Sequence, residues 1–580
     1  MMKLFKLAFF LKAYKKECIV GPIFKLFEAV LELLLPTMMV FMINNGVANR
    51  DTGYVLKIGG IMLSMSILGF GCSMVCQYYA ARASQGVGTS LRNTLYQHIG
   101  NFSHAEIDRF GTSSLINRIT NDVNQLQLAV AMMIRLVVRA PFICIGAIVM
   151  AMMLDFKLSM ILVAAVPIFA LILYFIMTKS SVLYRLYQKN LDRLAIVLRE
   201  NLSGVRVIRA FAKTRQEKKR FHQSNDDLMM TAIHIGKISA LLNPMTSFIM
   251  NGAIVIILWV GGMHINEGAL SKGEIIAFAN YITQILLALI VVSNLVVIFT
   301  KAAASAARVQ EILATAPSIT SIKQDRPVYN SAKSVIEFRD VSFKYNVTGD
   351  MAIGHVSIAI ERGQTVGIIG STGAGKSTFV NLIPRFYDVV QGEILVDGLN
   401  VKEYSLDDLR KKIGLVPQEA VLFTGSIEDN IRWGKQDASQ TEIVEAAKIA
   451  QAHEFVEKLP DAYQTAVTRG GLNFSGGQKQ RLTIARALVA KPQILILDDS
   501  SSALDFATDA ALRTAIRENS QDMTVLLVSQ RASSIKHTDK ILVFGDGSLV
   551  GVGSHSELMK TCPTYQEICL SQLSSQEAAK

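Results

Sequence analysis

The sequence is poor in cysteine and lacks several features that mark secreted, metal-binding or repetitive proteins. Its 580 residues include six cysteines, and none of their spacings matches a metal-ligand pattern. Cys72 and Cys76 lie one helical turn apart in an apolar stretch, which favours a packing role. The apolar run at 7–11 is too short for the core of a signal peptide, and no cleavage site follows it. The sequence also has no internal repeat and no low-complexity tract, so hydrophobic patterning has to indicate the architecture.

Hydrophobic residues are abundant and unevenly distributed. They make up 51% of the chain, the mean hydropathy is +0.34, and they concentrate before about residue 303. Six apolar stretches, each near or above the roughly 20 residues that cross a bilayer, lie at 17–43, 55–80, 127–153, 158–178, 239–263 and 276–300. The sequence therefore predicts six α-helical spans in a lipid bilayer, fused to a soluble C-terminal half.

Positive charge is also unevenly distributed, and this predicts the orientation of the spans. The loops 44–54, 154–157 and 264–275 are short and poor in Lys and Arg, whereas 81–126 and 179–238 are long and the second is strongly basic. By the positive-inside rule, both termini and the long segments are cytoplasmic. Helical apolar spacing in the long segments predicts that they continue the membrane helices into the cytosol. This placement explains the net charge of +12 without a nucleic-acid partner, and none is expected.

These patterns divide the chain into four parts. Residues 1–16, with Leu and Phe among Lys, are expected to form an interfacial elbow helix. Residues 17–318 form the transmembrane domain with its two long cytoplasmic loops, and the polar, irregular segment 319–334 is the expected linker. From 335 to 580, short apolar strands alternate with helical patterns, which predicts an α/β domain with a mainly parallel sheet.

A complete phosphate-loop motif lies at 370–377 of this α/β domain. It follows a predicted strand at 365–369 and opens a predicted helix at 376–383, the context that the motif requires. In such a loop Lys376 reaches the β- and γ-phosphates and Ser377 ligates Mg²⁺. Asp498, at the end of another apolar strand, is the expected magnesium carboxylate. The sequence therefore predicts ATP and Mg²⁺, with nucleotide contacts from Gly370, Ser371, Thr372, Gly373, Ala374, Gly375, Lys376, Ser377 and Thr378.

A second motif narrows the class of nucleotide-binding protein. The run NFSGGQ at 473–478, followed by a predicted helix at 479–489, resembles the signature of the ATP-binding cassette (ABC) family. Three further residues match motifs of that family in order along the chain. Gln418 matches the Q-loop glutamine, which touches Mg²⁺ and the interface with the membrane domain. Asp505 matches the D-loop, and Tyr345 matches the aromatic residue that stacks on adenine.

The resemblance implies that two cassettes dimerise head to tail. The phosphate loop of one chain and the signature of the other then enclose each ATP. In this chain the signature would serve the partner's nucleotide by presenting amides at a helix N-terminus, through Ser475, Gly476, Gly477 and Gln478.

Two residues depart from the family pattern in the pocket of this chain's own phosphate loop. Asp499 follows the magnesium carboxylate, where the family usually has a Glu that polarises the attacking water. Asp is one methylene shorter, roughly 1.5 Å, and a misplacement of about 1 Å can cost on the order of 10²-fold in rate. Gln530 stands where the family usually has a His facing the γ-phosphate, and an amide carries no positive charge there. The pair predicts a site that binds ATP and hydrolyses it poorly.

The resemblance extends over essentially the whole chain. Segments 106–110 with 118–123, and 200–211, resemble the two cytoplasmic loops of ABC exporters, which end in coupling helices that seat on the cassettes. Thr468 departs from the family, which often has Glu there, contacting the partner's coupling helix. The chain most resembles the degenerate-site subunit of bacterial heterodimeric multidrug exporters, which also carries Asp and Gln at the two altered positions.

That resemblance implies ATP-driven export of hydrophobic or amphipathic compounds across the bacterial cytoplasmic membrane. The partner would be a second half-transporter with the catalytic Glu and the switch His. Two alternatives remain open: a homodimeric exporter of lipid or peptide with slow hydrolysis, and an ATP-gated membrane regulator.

Charged residues within the predicted spans allow two interpretations. Glu28 and Glu32 lie four apart in the first span, and Arg135 and Arg139 lie four apart in the third. Intramembrane ionisable residues normally face the protein interior or a wet cavity. Glu32 could bind a cation, but pairing with Arg135 or Arg139 is the favoured interpretation.

Overall fold

The structure, a computed structural model, describes residues 8–266, 270–320, 334–345, 349–519 and 522–572. These residues form two compact units, and each is described by itself below. The membrane unit comprises Met1–Gly100 and Ser113–Thr315, and the cassette unit comprises Asn101–Thr112 and Ala316–Lys580. Most of the predicted linker and the first seven residues of the predicted elbow helix lie outside the described residues. The rest of that predicted helix is a 3₁₀ segment, Ala8–Tyr14, followed directly by an α-helix.

Among its described residues, the membrane unit has six helical segments that are long and apolar enough to cross a bilayer, which confirms the predicted number of spans. They are Phe9–Val47, Thr52–Gly100, Thr112–Leu154, Phe156–Ser203, Thr214–Ile265 and Lys272–Ala314. An α-helix of 49 residues such as Thr52–Gly100 is about 74 Å long, more than twice the roughly 30 Å of bilayer hydrocarbon. The predicted continuation of the spans beyond the membrane is confirmed by the helices that run unbroken through 81–100 and 179–203.

Several spans are built from shorter helices joined by turns. The first and third contain π-helical turns at Met42–Val47, Arg118–Asp122 and Met133–Val137. The α-helices of the membrane unit and of the loop segment at 101–112 are Lys15–Phe41, Thr52–Gly100, His104–Phe110, Thr112–Asn117, Val123–Met132, Arg139–Leu154, Phe156–Ser203, Val205–Ala210, Thr214–Ala240, Leu242–Asn266 and Lys272–Ala314.

Small residues and internal hydrogen bonds hold the spans together. Ala29, Ala147 and Ala151 are fully buried, as expected where helices approach closely in a bilayer. Tyr281 is also buried, and its hydroxyl donates to the carbonyl of Leu33 at 3.1 Å. The main buried cluster of this unit joins residues of the first, third, fourth, fifth and sixth spans, and many large apolar side chains are exposed.

The cassette unit contains two main β-sheets. The strands are β1 Ser334–Phe343, β2 Ile353–Glu361, β3 Thr365–Gly370, β4 Gln391–Val396, β5 Leu399–Asn400, β6 Ile413–Val416, β7 Gly425–Ser426, β8 Ala466–Val467, β9 Ile494–Asp498, β10 Thr524–Val528, β11 Lys540–Gly545 and β12 Ser548–Gly553. The six-stranded sheet has the order β12-β11-β3-β10-β9-β6. Only its β11–β12 pair is antiparallel, so the predicted mainly parallel sheet is confirmed.

The four-stranded sheet, of order β2-β1-β4-β5, is antiparallel and was not predicted. Register shifts interrupt the pairing of β1 with both neighbours, which obscures the simple alternation by which a half-buried strand is recognised. The α-helices of the cassette are Lys376–Leu382, Leu406–Lys411, Ile427–Arg432, Gln440–Ile449, His453–Glu457, Gly476–Leu488, Phe506–Glu518, Ala532–Ile535, His555–Thr561 and Pro563–Gln572.

The parallel sheet brings distant motifs to one edge. The strands β3, β10, β9 and β6 are adjacent and parallel, with Val528 opposite both Ile368 and Asp498. Their carboxyl ends therefore lie side by side, and ligands of open α/β sheets bind at that edge. The phosphate loop follows β3, Gln530 follows β10, Asp499 follows β9 and Gln418 follows β6.

Candidate functional site

The phosphate loop joins β3 to the helix Lys376–Leu382. Gly375 precedes the helix with φ of 99°, and a Cβ there would lie 2.8 Å from the carbonyl oxygen of Ala352. A Cβ on Gly370 would lie 2.3 Å from the carbonyl of Phe544. Only glycine fits either position without a backbone shift. The remaining predicted loop residues, Ser371, Thr372, Gly373 and Ala374, lie between these two glycines, and the first three are exposed.

Lys376 is held within the loop that it serves. Its Nζ donates to the carbonyl oxygens of Gly370 at 2.8 Å and Ser371 at 2.7 Å. Burial lowers the pKa of the lysine, and the carboxylates of Asp499 and Asp498 partly offset that effect. A buried ammonium at a helix N-terminus suits the binding of phosphate oxygens, which can replace the two carbonyls as its acceptors.

Ser377 and Asp498 converge at the position expected for Mg²⁺. The serine hydroxyl donates to Oδ1 of Asp498 at 3.0 Å, and burial raises the pKa of that carboxyl. Oxygen ligands of this kind fit Mg²⁺, which is usually bound by one or two protein groups together with substrate phosphates. Gln418 lies on the exposed turn after β6. No cluster of three or more His, Cys, Asp or Glu able to hold a metal occurs among the described residues.

Asp499 and Gln530 contact each other directly. Nε2 of Gln530 donates to Oδ2 of Asp499 at 3.2 Å. Asp499 has a left-handed backbone, with φ of 45°, fixed by a hydrogen bond from its N–H to the carbonyl of Val528 at 3.0 Å. Burial raises the pKa of its carboxyl, while Lys376 and Arg531 oppose this shift. The amide thus engages one oxygen of the carboxylate that would have to orient a water molecule.

Tyr345 anchors the expected adenine-binding end of the site. Its hydroxyl lies 2.9 Å from that of Thr378, which ties it to the phosphate-loop helix. Its ring is perpendicular to that of Tyr387, with centroids 5.2 Å apart, and is half-exposed. An exposed aromatic face beside the loop can stack on a planar base.

Tyr387 also contacts the loop segment that contains Asp108, which was predicted to be the first cytoplasmic loop, and this contact was not predicted. Its hydroxyl donates to Oδ2 of Asp108 at 2.7 Å, and the ring of His104 stacks on Phe386 at 4.3 Å. Burial, then Asp108, raises the pKa of Tyr387. The resemblance of 106–110 to an exporter loop indicated that Asp108 lies in a functional segment. Tyr387, the other residue of this contact, lies in no recognised motif, so nothing in the sequence indicated the pair.

The signature begins its helix earlier than predicted. The helix runs from Gly476 to Leu488 rather than from 479, because Ser475 caps it. The N–H of Ser475 donates to Oε1 of Gln478 at 2.9 Å, and the N–H of Gln478 donates to Oγ of Ser475 at 3.3 Å. This reciprocal capping box leaves the helix N-terminus at the two glycines. The Cβ of a residue replacing Gly477 would lie 3.0 Å from the carbonyl of Ala503.

Asp505 and Thr468 have local structural contacts beside the signature. Asp505 caps the helix Phe506–Glu518 by accepting from the N–H of Thr508 at 2.9 Å. Thr468 donates from its N–H at 3.1 Å and its hydroxyl at 2.9 Å to Oδ1 of Asn473. The threonine that replaces the family's usual Glu therefore fixes the start of the signature.

Comparisons with known proteins agree with this geometry. Residues 18–289 match the family model for the ABC transporter transmembrane region, and residues 353–502 match the model for ABC transporters. The chain is 38% identical over 563 residues to the ABC transporter ATP-binding protein YfiB of Bacillus subtilis, covering 97% of each chain. It is 32% identical over 568 residues to YgaD of the same species, named a putative multidrug export ATP-binding/permease protein, covering 96% of this chain and 97% of the relative.

A solved structure shares the fold. A bacterial Atm1-family ABC exporter with ATP bound superposes with a TM-score of 0.75 at 24% identity, covering 95% of this chain and 98% of the other. Family models match both halves of the chain, and a relative aligns with 97% of its length. The chain therefore belongs to the ABC transporters, with an exporter-type transmembrane domain fused to an ABC ATPase domain.

Proposed function

We propose that this chain is one half of a heterodimeric exporter of hydrophobic or amphipathic compounds in the bacterial cytoplasmic membrane, with both termini in the cytoplasm. It contributes a weakly hydrolysing ATP site and an intact signature for the partner's site. Two named relatives support this class of substrate. One is YgaD. The other is a fatty acid ABC transporter of Mycobacterium bovis, 35% identical over 454 residues, covering 78% of this chain and 71% of the relative.

The hydrogen bond between Gln530 and Asp499 is the observation that carries this proposal. A water that attacks the γ-phosphate needs a base that accepts its proton and a favourable field for the developing charge. Here the base has the shorter side chain, and an amide in place of an imidazole donates to one of its oxygens at 3.2 Å. Both changes reduce hydrolysis, and neither removes a group that binds the phosphates.

The same site retains all the side chains and backbone groups that the proposal requires for binding ATP. Lys376 and the loop amides hold the phosphates, and Tyr345 stacks on adenine. Ser377 and Asp498 would hold Mg²⁺, which neutralises charge on the bridging phosphate oxygens. ATP that stays bound here stabilises the cassette dimer, because a ligand that binds only the closed state favours that state.

The intact signature supports the proposal that ATP is hydrolysed mainly at the site built on the partner's phosphate loop. Ser475 and the two glycines that follow present N–H groups at a helix N-terminus, which stabilise negative charge. In a head-to-tail dimer these groups face the partner's nucleotide. The partner is therefore expected to carry the catalytic Glu and the switch His that this chain replaces.

The proposal is tested by purifying the chain alone and with its partner and measuring ATP hydrolysis and vesicle transport. We expect hydrolysis and transport from the complex and little hydrolysis from the chain alone. Equal hydrolysis by both would support the homodimer instead. ATP binding without any substrate-stimulated hydrolysis or transport by the complex would support an ATP-gated regulator.

A further inference from the structure

Charged side chains of the first and third spans form a cluster, which we name the span cluster: Lys25, Glu28, Glu32, Arg135 and Arg139. Nζ of Lys25 donates to Glu28 at 2.6 and 2.8 Å, and Nη2 of Arg139 donates to Glu32 at 2.6 Å. Nε of Arg139 also lies 4.0 Å from Glu28. The predicted pairing of Glu32 with an arginine of the third span is confirmed, and Arg139 is that partner.

The carboxylates of the span cluster are already neutralised. Glu28 lies between two cations, and its side chain is 17% exposed. Glu32 is paired with Arg139, and its backbone carbonyl accepts from Nε2 of Gln284 on the sixth span at 3.3 Å. A cation bound by Glu32 would have to displace a guanidinium from a half-buried ion pair, so the alternative of a cation site loses its basis.

Arg135 is the member without a partner. No hydrogen bond or ion pair links it to another side chain in the part of the chain that the structure describes, and its buried Nε has no acceptor. It is half-buried within the π-helical turn Met133–Val137, and such turns often occur at functional sites. Its neighbour Ile134 packs tightly at Gly21 of the first span, where a Cβ would lie 2.6 Å from the isoleucine.

Arg135 shares its surroundings with the paired charges. Ile134, which precedes Arg135, packs in one buried cluster with Cys76, Ala80 and Ala83 of the second span, and Arg139 lies one helical turn further along the third span. The span cluster therefore has three cations and two carboxylates, and its excess positive charge resides on a guanidinium with unused donors. An ionised group within a membrane span normally has a partner, and guanidinium prefers carboxylate or phosphate.

We propose that Arg135 binds the anionic head group of a single-chain amphipath that the transporter carries. This rests on the proposed export function and specifies its substrate class. The uncompensated charge of Arg135 favours a carboxylate or phosphate head group over an ammonium, and the hydrophobic chain of the amphipath would lie against apolar residues of the same spans. A neutral compound of equal length gains only the apolar contacts.

The test uses the complete heterodimer in vesicles of phosphatidylcholine, whose zwitterionic head groups add no net anion. Stimulation of ATP hydrolysis is titrated with three probes of one chain length: dodecanoate, dodecanol and dodecylammonium. We expect half-maximal stimulation at the lowest concentration for dodecanoate. Arg135→Gln should raise that concentration about tenfold, as expected for loss of a charge-assisted hydrogen bond, and leave the value for dodecanol unchanged.

Two further variants separate charge recognition from structure. Arg135→Lys keeps the charge and should retain most of the preference for dodecanoate. Arg82→Gln removes a guanidinium that already pairs with Glu17 at 3.3 Å, and it should not alter the order of the three probes.

Four results would overturn the assignment. One is equal stimulation of the unmodified complex by dodecylammonium and dodecanoate. Another is an Arg135→Gln effect of the same size on all three probes, which would indicate a structural partner on the other subunit. Stimulation by none of the probes would overturn the export proposal as well, whereas response to dodecanol without preference for dodecanoate would overturn only the anionic site.

Discussion

The phosphate-loop region and the signature region of this cassette differ in how much of their chemistry they keep. In the first, the binding groups around Lys376 are complete, but Asp499 is short and is hydrogen-bonded by Gln530. In the second, Ser475 and Gln478 form a closed capping box that fixes the helix N-terminus. The phosphate-loop region of this chain is thus suited to hold ATP. Its signature region is suited to assist hydrolysis of ATP bound to another chain. Under the proposed function, ATP binding and ATP turnover are divided between two sites.

Changes in the signature should have the largest effect. Ser475→Ala removes a cap and a donor, and Gly477→Asp places a carboxylate beside the partner's γ-phosphate. Loss of one such donor costs about 10²–10³ in rate, so ATP hydrolysis by the complex should fall at least that far.

The control for Gly477→Asp is Gly477→Asn, which has the same shape without the charge. Both introduce a Cβ 3.0 Å from the carbonyl of Ala503, so the difference between their hydrolysis rates measures the like-charge repulsion. Equal rates for the two variants would contradict the placement of this glycine against a phosphate.

Restoring the usual residues should have the opposite effect at the other site. Asp499→Glu combined with Gln530→His lengthens the base and supplies an imidazole, and should raise hydrolysis at the Lys376 site by up to about 10²-fold. The measurement is best made in a Gly477→Asp background, where hydrolysis at the partner's site is suppressed. No gain in the double variant would show that features other than these two residues limit this site.

Loss of the phosphate-loop lysine should have an intermediate effect. Lys376→Ala removes the ammonium that contacts the phosphates, so less nucleotide should remain on this chain after gel filtration of the complex. Transport should fall partially, because the partner's phosphate loop is unchanged. Lys402→Ala, an exposed lysine of the same domain, is the control, and full nucleotide retention in Lys376→Ala would contradict the assignment.

The contact between Tyr387 and Asp108 should have the smallest effect. Tyr387→Phe keeps the ring beside Tyr345 and removes a 2.7 Å hydrogen bond to the first cytoplasmic loop. We expect substrate-stimulated hydrolysis to fall by about two- to fivefold, less than a buried charged hydrogen bond would cost. Tyr463→Phe, which loses a 2.9 Å contact with His453 in the same domain, should leave the stimulation unchanged.

The groups found from sequence lie in motifs whose members are close along the chain. The phosphate loop with Lys376 and the strand ending at Asp498 are of this kind, and parallel strands then bring them together. The contact of Tyr387 with Asp108 joins residues 279 positions apart, and no local pattern carries that information. The start of the signature helix was misplaced because Gly476 and Gly477 disfavour helix, although Ser475 and Gln478 carry the capping signal.

In the membrane unit, too, contacts between residues far apart in the chain could not be predicted from local sequence patterns. Apolar length is sufficient to predict six spans, but pairing of Glu32 with Arg139 rather than Arg135 depends on how the first and third spans pack. The π-helical turn at Met133–Val137 shifts the relative positions of the two arginines, and nothing in the apolar pattern indicates it.

The most direct test of divided labour compares steady-state ATP hydrolysis by the complex carrying Gly477→Asp with that of the complex carrying Asp499→Asn, each with the same partner. Asp499→Asn changes an acid that contributes little to turnover, so the rate should stay close to that of the unmodified complex. Gly477→Asp should abolish most of the activity. If Asp499→Asn were the more damaging change, the working site would lie in this chain and the proposed asymmetry would be reversed.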